Sequence, residues 1–257
     1  MNEETMTTPE TDVDTSRRNL LKGGAAAAVV TLAPGVTLRT VEAAVTGPAT
    51  SAQRWGMLID ATAPEHLWDL AVEACKTEQG WGPEYNKSGK ANPLTDPQWI
   101  RKVSVKDPKT GAKATLPVMC QHCAKPPCVD VCPTGASMKR ADGIVLVDKH
   151  ICIGCRYCMM ACPYSCRSFV HEDVKNQRPH MPRGKGTVES CTLCVHRVDA
   201  GQKPACVEAL NNAGSNAIIF GDLNDPNSDI SRAVAKYVTQ RIRADLDLEP
   251  GVHYRGI

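Results

Sequence analysis

Cys152-Ile153-Gly154-Cys155-Arg156-Tyr157-Cys158-Met159-Met160-Ala161-Cys162-Pro163 spaces four cysteines as C-x2-C-x2-C-x3-C and places a proline directly behind the last. This is the spacing by which bacterial proteins hold 4Fe–4S cubes. The reason is geometric: three thiolates on one tight loop cap three irons, while the fourth, at the start of a helix, points to a neighbouring cube. A proline suits the turn into that helix. Twenty residues upstream, Cys120, Cys123, Cys128 and Cys132, followed by Pro133, form a near copy with a longer middle gap. The two runs therefore read as an exchanging pair. Cys120, Cys123, Cys128 and Cys162 make one cluster site, and Cys152, Cys155, Cys158 and Cys132 make the next.

Working outward, a third group is Cys191, Cys194 and Cys206, and the remaining early cysteine is Cys75. Continuing the third group by the same spacing puts a fourth ligand at position 210, which is Leu. Reading the same run backwards from Cys75 puts ligand positions at Ala71, Trp68 and Glu65, none of which is a thiol. These losses are mutually consistent. In an exchanging pair, the first three positions of one segment and the fourth of its partner serve one cube. Glu65, Trp68, Ala71 and Leu210 are therefore the four positions of a single erased site. Cys191, Cys194, Cys206 and Cys75 remain as a complete third site. Trp68, Leu67, Leu70 and Leu210 are expected to fill the erased one with apolar packing. Cys166 has no partner in this scheme and reads as a small buried thiol.

Disulfides and zinc are the rival uses of cysteine. Thirteen cysteines, an odd number, in closely spaced C-x2-C loops argue against a disulfide framework. Zinc accepts C-x2-C pairs but does not require a fourth cysteine three residues on with proline behind it. A zinc-stabilised scaffold without redox chemistry is the alternative of another class. Aromatic residues make up only 4% of the chain, so metal-held loops must replace much of a conventional interior. The formal net charge is +2, from 30 basic and 28 acidic side chains, which gives no reason to expect a nucleic-acid partner. There is no nucleotide fingerprint and no activated-nucleophile motif, so the chain is expected to carry electrons rather than catalyse by itself.

Ser16-Arg17-Arg18-Asn19-Leu20-Leu21-Lys22, an apolar run from Gly23 to Ala33 and the small-residue site Val41-Glu42-Ala43 follow the order of a twin-arginine export signal. Residues 1–44 are read as that signal and the mature chain is expected to begin near Ala44. Such export carries folded proteins to the periplasm, which suits one whose metal centres are inserted beforehand. The apolar run is too short to span a bilayer, and no later segment approaches that length, so membrane attachment would come from a partner. Residues 45–222 are expected to form an α+β double module of two interleaved bacterial-ferredoxin-like units with irregular insertions, organised around three 4Fe–4S clusters. Within it, Arg54–Asp60, Ile144–Asp148 (after a turn at Ala141-Asp142-Gly143) and Ala217–Phe220 read as strands, 67–76 as helix, and 79–113 as an irregular insertion. Residues 223–257 are expected to be a tail, helical over 229–243 and polar at its end. His122, His150, His171, His180 and His196 sit at no vacant ligand position, and only His122, between Cys120 and Cys123, is placed to tune a cluster.

Four stretches carry a family resemblance: Trp55-Gly56-Met57-Leu58-Ile59-Asp60, Cys120-Gln121-His122-Cys123, Gly154 to Tyr164, and Cys191-Thr192-Leu193-Cys194-Val195-His196-Arg197-Val198-Asp199-Ala200-Gly201. From Arg54 to about Asp222 the chain resembles the four-cluster ferredoxin-like subunits of membrane redox complexes, among them the small subunits of polysulfide, formate-dependent nitrite and dimethyl sulfoxide reductases and a hydrogenase subunit. The resemblance implies the same cysteine assignments, with only Cys75 kept where the family has four cysteines. The export signal, the lost first site and the missing C-terminal span look most like the DsrO group, periplasmic subunits of the DsrMKJOP complexes of sulfite-reducing and sulfur-oxidising prokaryotes. That likeness implies an integral-membrane quinone-interacting subunit and a periplasmic cytochrome c or other redox subunit as partners. The alternative within the class is the electron-transfer subunit of a molybdopterin reductase or a hydrogenase.

Overall fold

The computed structural model describes residues 48–257 except 107 and 112, together with the backbone of two short strands, β1 (Val30–Ala33) and β2 (Val36–Leu38), which pair antiparallel. The chain divides into two units, Met1–Ala43 and Ala44–Ile257. The arginine pair and the expected cleavage site lie outside the described residues.

In the second unit, β3 (Trp55–Asp60) is the centre of a three-stranded sheet. Its sequence alternates faces as a pleated strand must. Met57 and Ile59 enter the main core, while Leu58 points the other way, against Ile230 and Ala233. The strand needs cover on both sides and has it. α1 (Glu65–Gln79) follows β3 and buries Leu67, Trp68, Ala71, Cys75 and Gln79, a stripe of i, i+4 neighbours. It ends at Gly80, whose left-handed conformation lets its N–H reach the Lys76 carbonyl at 2.8 Å.

The segment expected to be irregular is only partly so. A 3-10 turn at Pro83–Tyr85 gives way to β4 (Ile100–Lys106), which pairs antiparallel with β5 (Lys113–Met119) over seven residue pairs. Then come α2 (Pro127–Asp130), the hairpin of β6 (Ser137–Lys139) with β7 (Val145–Val147), and α3 (Tyr157–Ala161). β8 (Ser168–Phe169) pairs with β9 (Val188–Glu189), and α4 (Val195–Val198) and α5 (Ala205–Asn212) follow. α5 packs on α1. β10 (Ile218–Asp222) returns antiparallel to β3, with Phe220 stacked on Trp55.

The helix expected over 229–243 is shorter. α6 (Asp229–Lys236) starts at Ser228, whose side chain accepts the Ser231 N–H, and stops where Tyr237 turns extended. The chain then comes back as β11 (Val252–Arg255), parallel to β3 on its other edge, with Val252, His253 and Tyr254 buried. A stretch that reads as a polar end is therefore part of the central sheet.

Candidate metal centres

Each short cysteine loop contains a residue in left-handed backbone conformation just before its second cysteine. These are His122 (φ 44), Gly154 (φ 70) and Leu193 (φ 53). Only Gly adopts this region without cost, so a shared requirement overrides side-chain preference in the other two loops. A left-handed residue after a right-handed one turns successive backbone N–H groups inward, forming a concavity suited to anions, including iron–sulfur cores. Two of the loops also use the same internal bond: the N–H of His122 reaches Cys120 Sγ, and the N–H of Leu193 reaches Cys191 Sγ. Gly154 has a second constraint, because a Cβ there would sit 2.1 Å from the Gly186 carbonyl oxygen.

The structure brings the expected cysteines together in three sets. Cys120, Cys123, Cys128 and Cys162 line one cavity, and Cys166, which the spacing leaves without a role, lines it too, with Pro163, Tyr164 and Arg167 around them. Cys132, Cys152, Cys155 and Cys158 line a second, with Ser137 and Val147. Cys75 from α1 faces Cys191, Cys194 and Cys206, and all four are buried. None of the thirteen cysteines is in a disulfide.

Burial sets the protonation of these thiols. Burial pushes the Cys120 and Cys206 thiols up to about 12 and Cys123 up to about 11. Cys75 and Cys191 rise well above the usual thiol range for the same reason, reinforced by their neighbouring cysteines. Without a metal these thiols stay protonated, so metal binding must release their protons. Cys162 goes the other way, down to about 6, chiefly through a hydrogen bond from Cys166. Four soft sulfur donors per set, with backbone N–H groups turned inward, fit 4Fe–4S cubes.

Of the residues expected to pack together around Trp68 and Leu210, all but Leu70 are buried. Trp68, Ala71 and Leu210 are fully buried and Leu67 nearly so, all in one core. Leu70 is 44% exposed, because it lies off the 67/68–71–75 stripe that faces α5. Cys166 is buried, and its thiol donates to the Met119 carbonyl at 2.9 Å.

Further residues surround the sets, and among them Gln79, Trp81, Arg183 and Glu189 carry no local sequence signal. Gln79 Nε2 donates to Cys194 Sγ at 3.1 Å and Trp81 Nε1 to Cys75 Sγ at 3.3 Å. His122 is buried and its Nδ1 accepts the Val145 N–H at 3.0 Å. Burial and the charges of Arg54 and Arg167 hold it neutral, down at about 3. Arg183 and Glu189 form a buried two-pronged ion pair, and Arg183 also donates to the Gly80 carbonyl at the end of α1. His180 and His196 stack at 3.9 Å beside Glu78, which His196 and Arg197 both contact.

An α+β scaffold whose interior is organised by convergent thiol sets defines an iron–sulfur protein. The family model described as a 4Fe–4S dicluster domain matches residues 112–222. Iron–sulfur subunit 1 of the Hdr-like menaquinol oxidoreductase of Archaeoglobus fulgidus is 39% identical, over 93% of this chain and 96% of the relative. A sulfite dehydrogenase subunit of Allochromatium vinosum is 36% identical over 71% of this chain and 75% of its own. A tetrathionate reductase subunit of Salmonella typhimurium is 40% identical over 55% of this chain and 52% of its own. The chain belongs to this family of iron–sulfur subunits of oxidoreductase complexes, and it is an electron-transfer component with 4Fe–4S clusters rather than a catalytic subunit.

Proposed function

We propose that the mature chain is a periplasmic relay of three 4Fe–4S clusters, built as two interleaved ferredoxin-like modules. It links a quinone-handling integral-membrane subunit to a second redox subunit, such as a periplasmic cytochrome c, in sulfite-linked sulfur metabolism. The observation that carries this reading is the grouping of twelve thiols into three complete sets of four, each drawn from separated segments. When bound, the clusters accept and release single electrons with potentials set by their surroundings.

The chain's own residues supply spacing, burial and docking. Cys162 and Cys132 are each contributed across the pair, so the first and second sets are tied by α2 and α3 packing on one another. The third set is sealed by α1 and α5. Among the described cysteines Cys155 alone is exposed, and Ile151, Ile153, Tyr157 and Met160 around it are exposed too, with Ile153 at 67% and Met160 at 73%. An uncovered apolar rim beside an accessible ligand suits a redox partner at the second set. Among the described residues no helix is long and apolar enough to cross a membrane, which agrees with attachment through a partner. The menaquinol and sulfite names of the two relatives with the longest alignments support the quinone and sulfite assignments.

The test is anaerobic reductive titration of the holoprotein, followed by absorption and electron paramagnetic resonance. Broad absorption in the blue should bleach, and spins should integrate to about three per chain, one per cube. A colourless zinc protein that takes up no electrons would overturn the relay.

A further inference from the structure

Arg167 lies between the first two thiol sets and has too few partners for a buried cation. It is 5% exposed. Nη2 donates to Ser137 Oγ at 2.8 Å, but Nε and Nη1 are buried without a hydrogen-bond partner. None of the described ion pairs includes it. Its charge faces Cys120, Cys128 and Cys162 of the first set, Cys158 of the second and the neutral ring of His122, and its side chain also reaches the sulfurs of Cys128 and Cys158. Its neighbour Ser137 also lines the second cavity, while Arg167 itself lines the first.

A guanidinium keeps its proton under all ordinary conditions and is costly to bury unless an anion compensates it. Here the compensating anions can only be the loaded thiol sets. A cube held by four thiolates is a net anion, and each added electron makes it more so. A fixed cation facing two such sites stabilises the reduced form of both, and unused N–H groups can hydrogen-bond their sulfurs.

We infer that Arg167 is a shared counter-charge that raises the reduction potentials of the first and second clusters together and leaves the third unaffected. This rests on the three-cluster reading above. It assigns a positioning and tuning role to a residue between the sites, not to a ligand.

The experiment compares holoprotein carrying Arg167→Gln or Arg167→Lys with the parent, by potentiometric titration read in paramagnetic resonance. A Cys206→Ala chain identifies the third set's signal by its loss. Arg167→Gln should move the first and second midpoints to more negative values with the third unchanged. Arg167→Lys, which keeps the charge but not the planar fork, should retain most of the parent values. Unchanged midpoints at full iron content, or equal shifts of all three, would overturn the inference. So would loss of iron from the first two sets in both variants, which marks a packing role. Failure of the three-cluster reading shows separately, in the iron content of the parent chain.

Discussion

Gly154 and Cys166 test the site residue by residue. Gly154 combines a positive φ with a carbonyl only 2.1 Å from where a Cβ would stand, so Gly154→Ala must displace backbone in the loop of the second set. It should lower iron content by about a third, since one cube of three is lost, with the third set's signal intact. Full iron would show that the loop tolerates the change. Cys166→Ala should keep all its iron, because the Cys166 thiol is engaged with the Met119 carbonyl at 2.9 Å and the cysteine spacing gives it no ligand position. Cys162→Ala, one exchange position away, should not. The convergence of Cys120, Cys123, Cys128 and Cys162, and of Cys132, Cys152, Cys155 and Cys158, is legible in the sequence because ferredoxin spacing constrains both runs. The proposal of an erased site rests on the same spacing: four non-thiol residues fall at the four positions one cube would use. Arg167, Gln79 and Trp81 are not legible, since each becomes meaningful only when folding brings a distant sulfur to its N–H. Leu70 falls outside the packed site because proximity to Trp68 in sequence is not a shared helix face.

The ends of elements are held by pairs that sequence periodicity does not reveal. Arg183 and Glu189 are both at most 1% exposed, and they tie the segment before the third set to the carbonyl end of α1. Glu189→Ala would leave the Arg183 charge buried without its partner, a loss of about 3–5 kcal/mol by analogy with other broken buried pairs. It should appear as a lower thermal unfolding midpoint of the holoprotein. An unchanged midpoint would mean that the pair does not brace α1. Leu210→Ala should likewise destabilise, by about 2–5 kcal/mol, if α1 and α5 close over the erased site by apolar packing. The strands β3 and β10 are readable from their apolar runs. The β4–β5 hairpin is hidden because glycine, proline and lysine dominate its surroundings, although Val103, Val105, Leu116 and Val118 do alternate as strand residues should. β11 is hidden by its length: it has four residues, two of them polar in sequence, and Val252, His253 and Tyr254 are buried because β3 offers a free edge.

For the molecule as a whole, nine of the thirteen cysteines are buried at under a tenth of their full exposure, alongside few aromatic side chains. Removing the metal should therefore remove the organising centre of three loops at once. Chelated protein is expected to lose most of its cooperative unfolding transition and its protection from proteolysis. Retention of both would mean that the apolar core is sufficient. The overall class can be read from the sequence because metal-ligand spacing outweighs weak local propensities. The path of the last thirty residues cannot, since nothing local records which sheet edge remains open. The most direct test of the account is the metal and acid-labile sulfide content of anaerobically purified chain. Three complete thiol sets and one erased set predict about twelve iron and about twelve sulfide per chain, four of each per cube. Stable values near eight or sixteen, or zinc in place of iron, would contradict it.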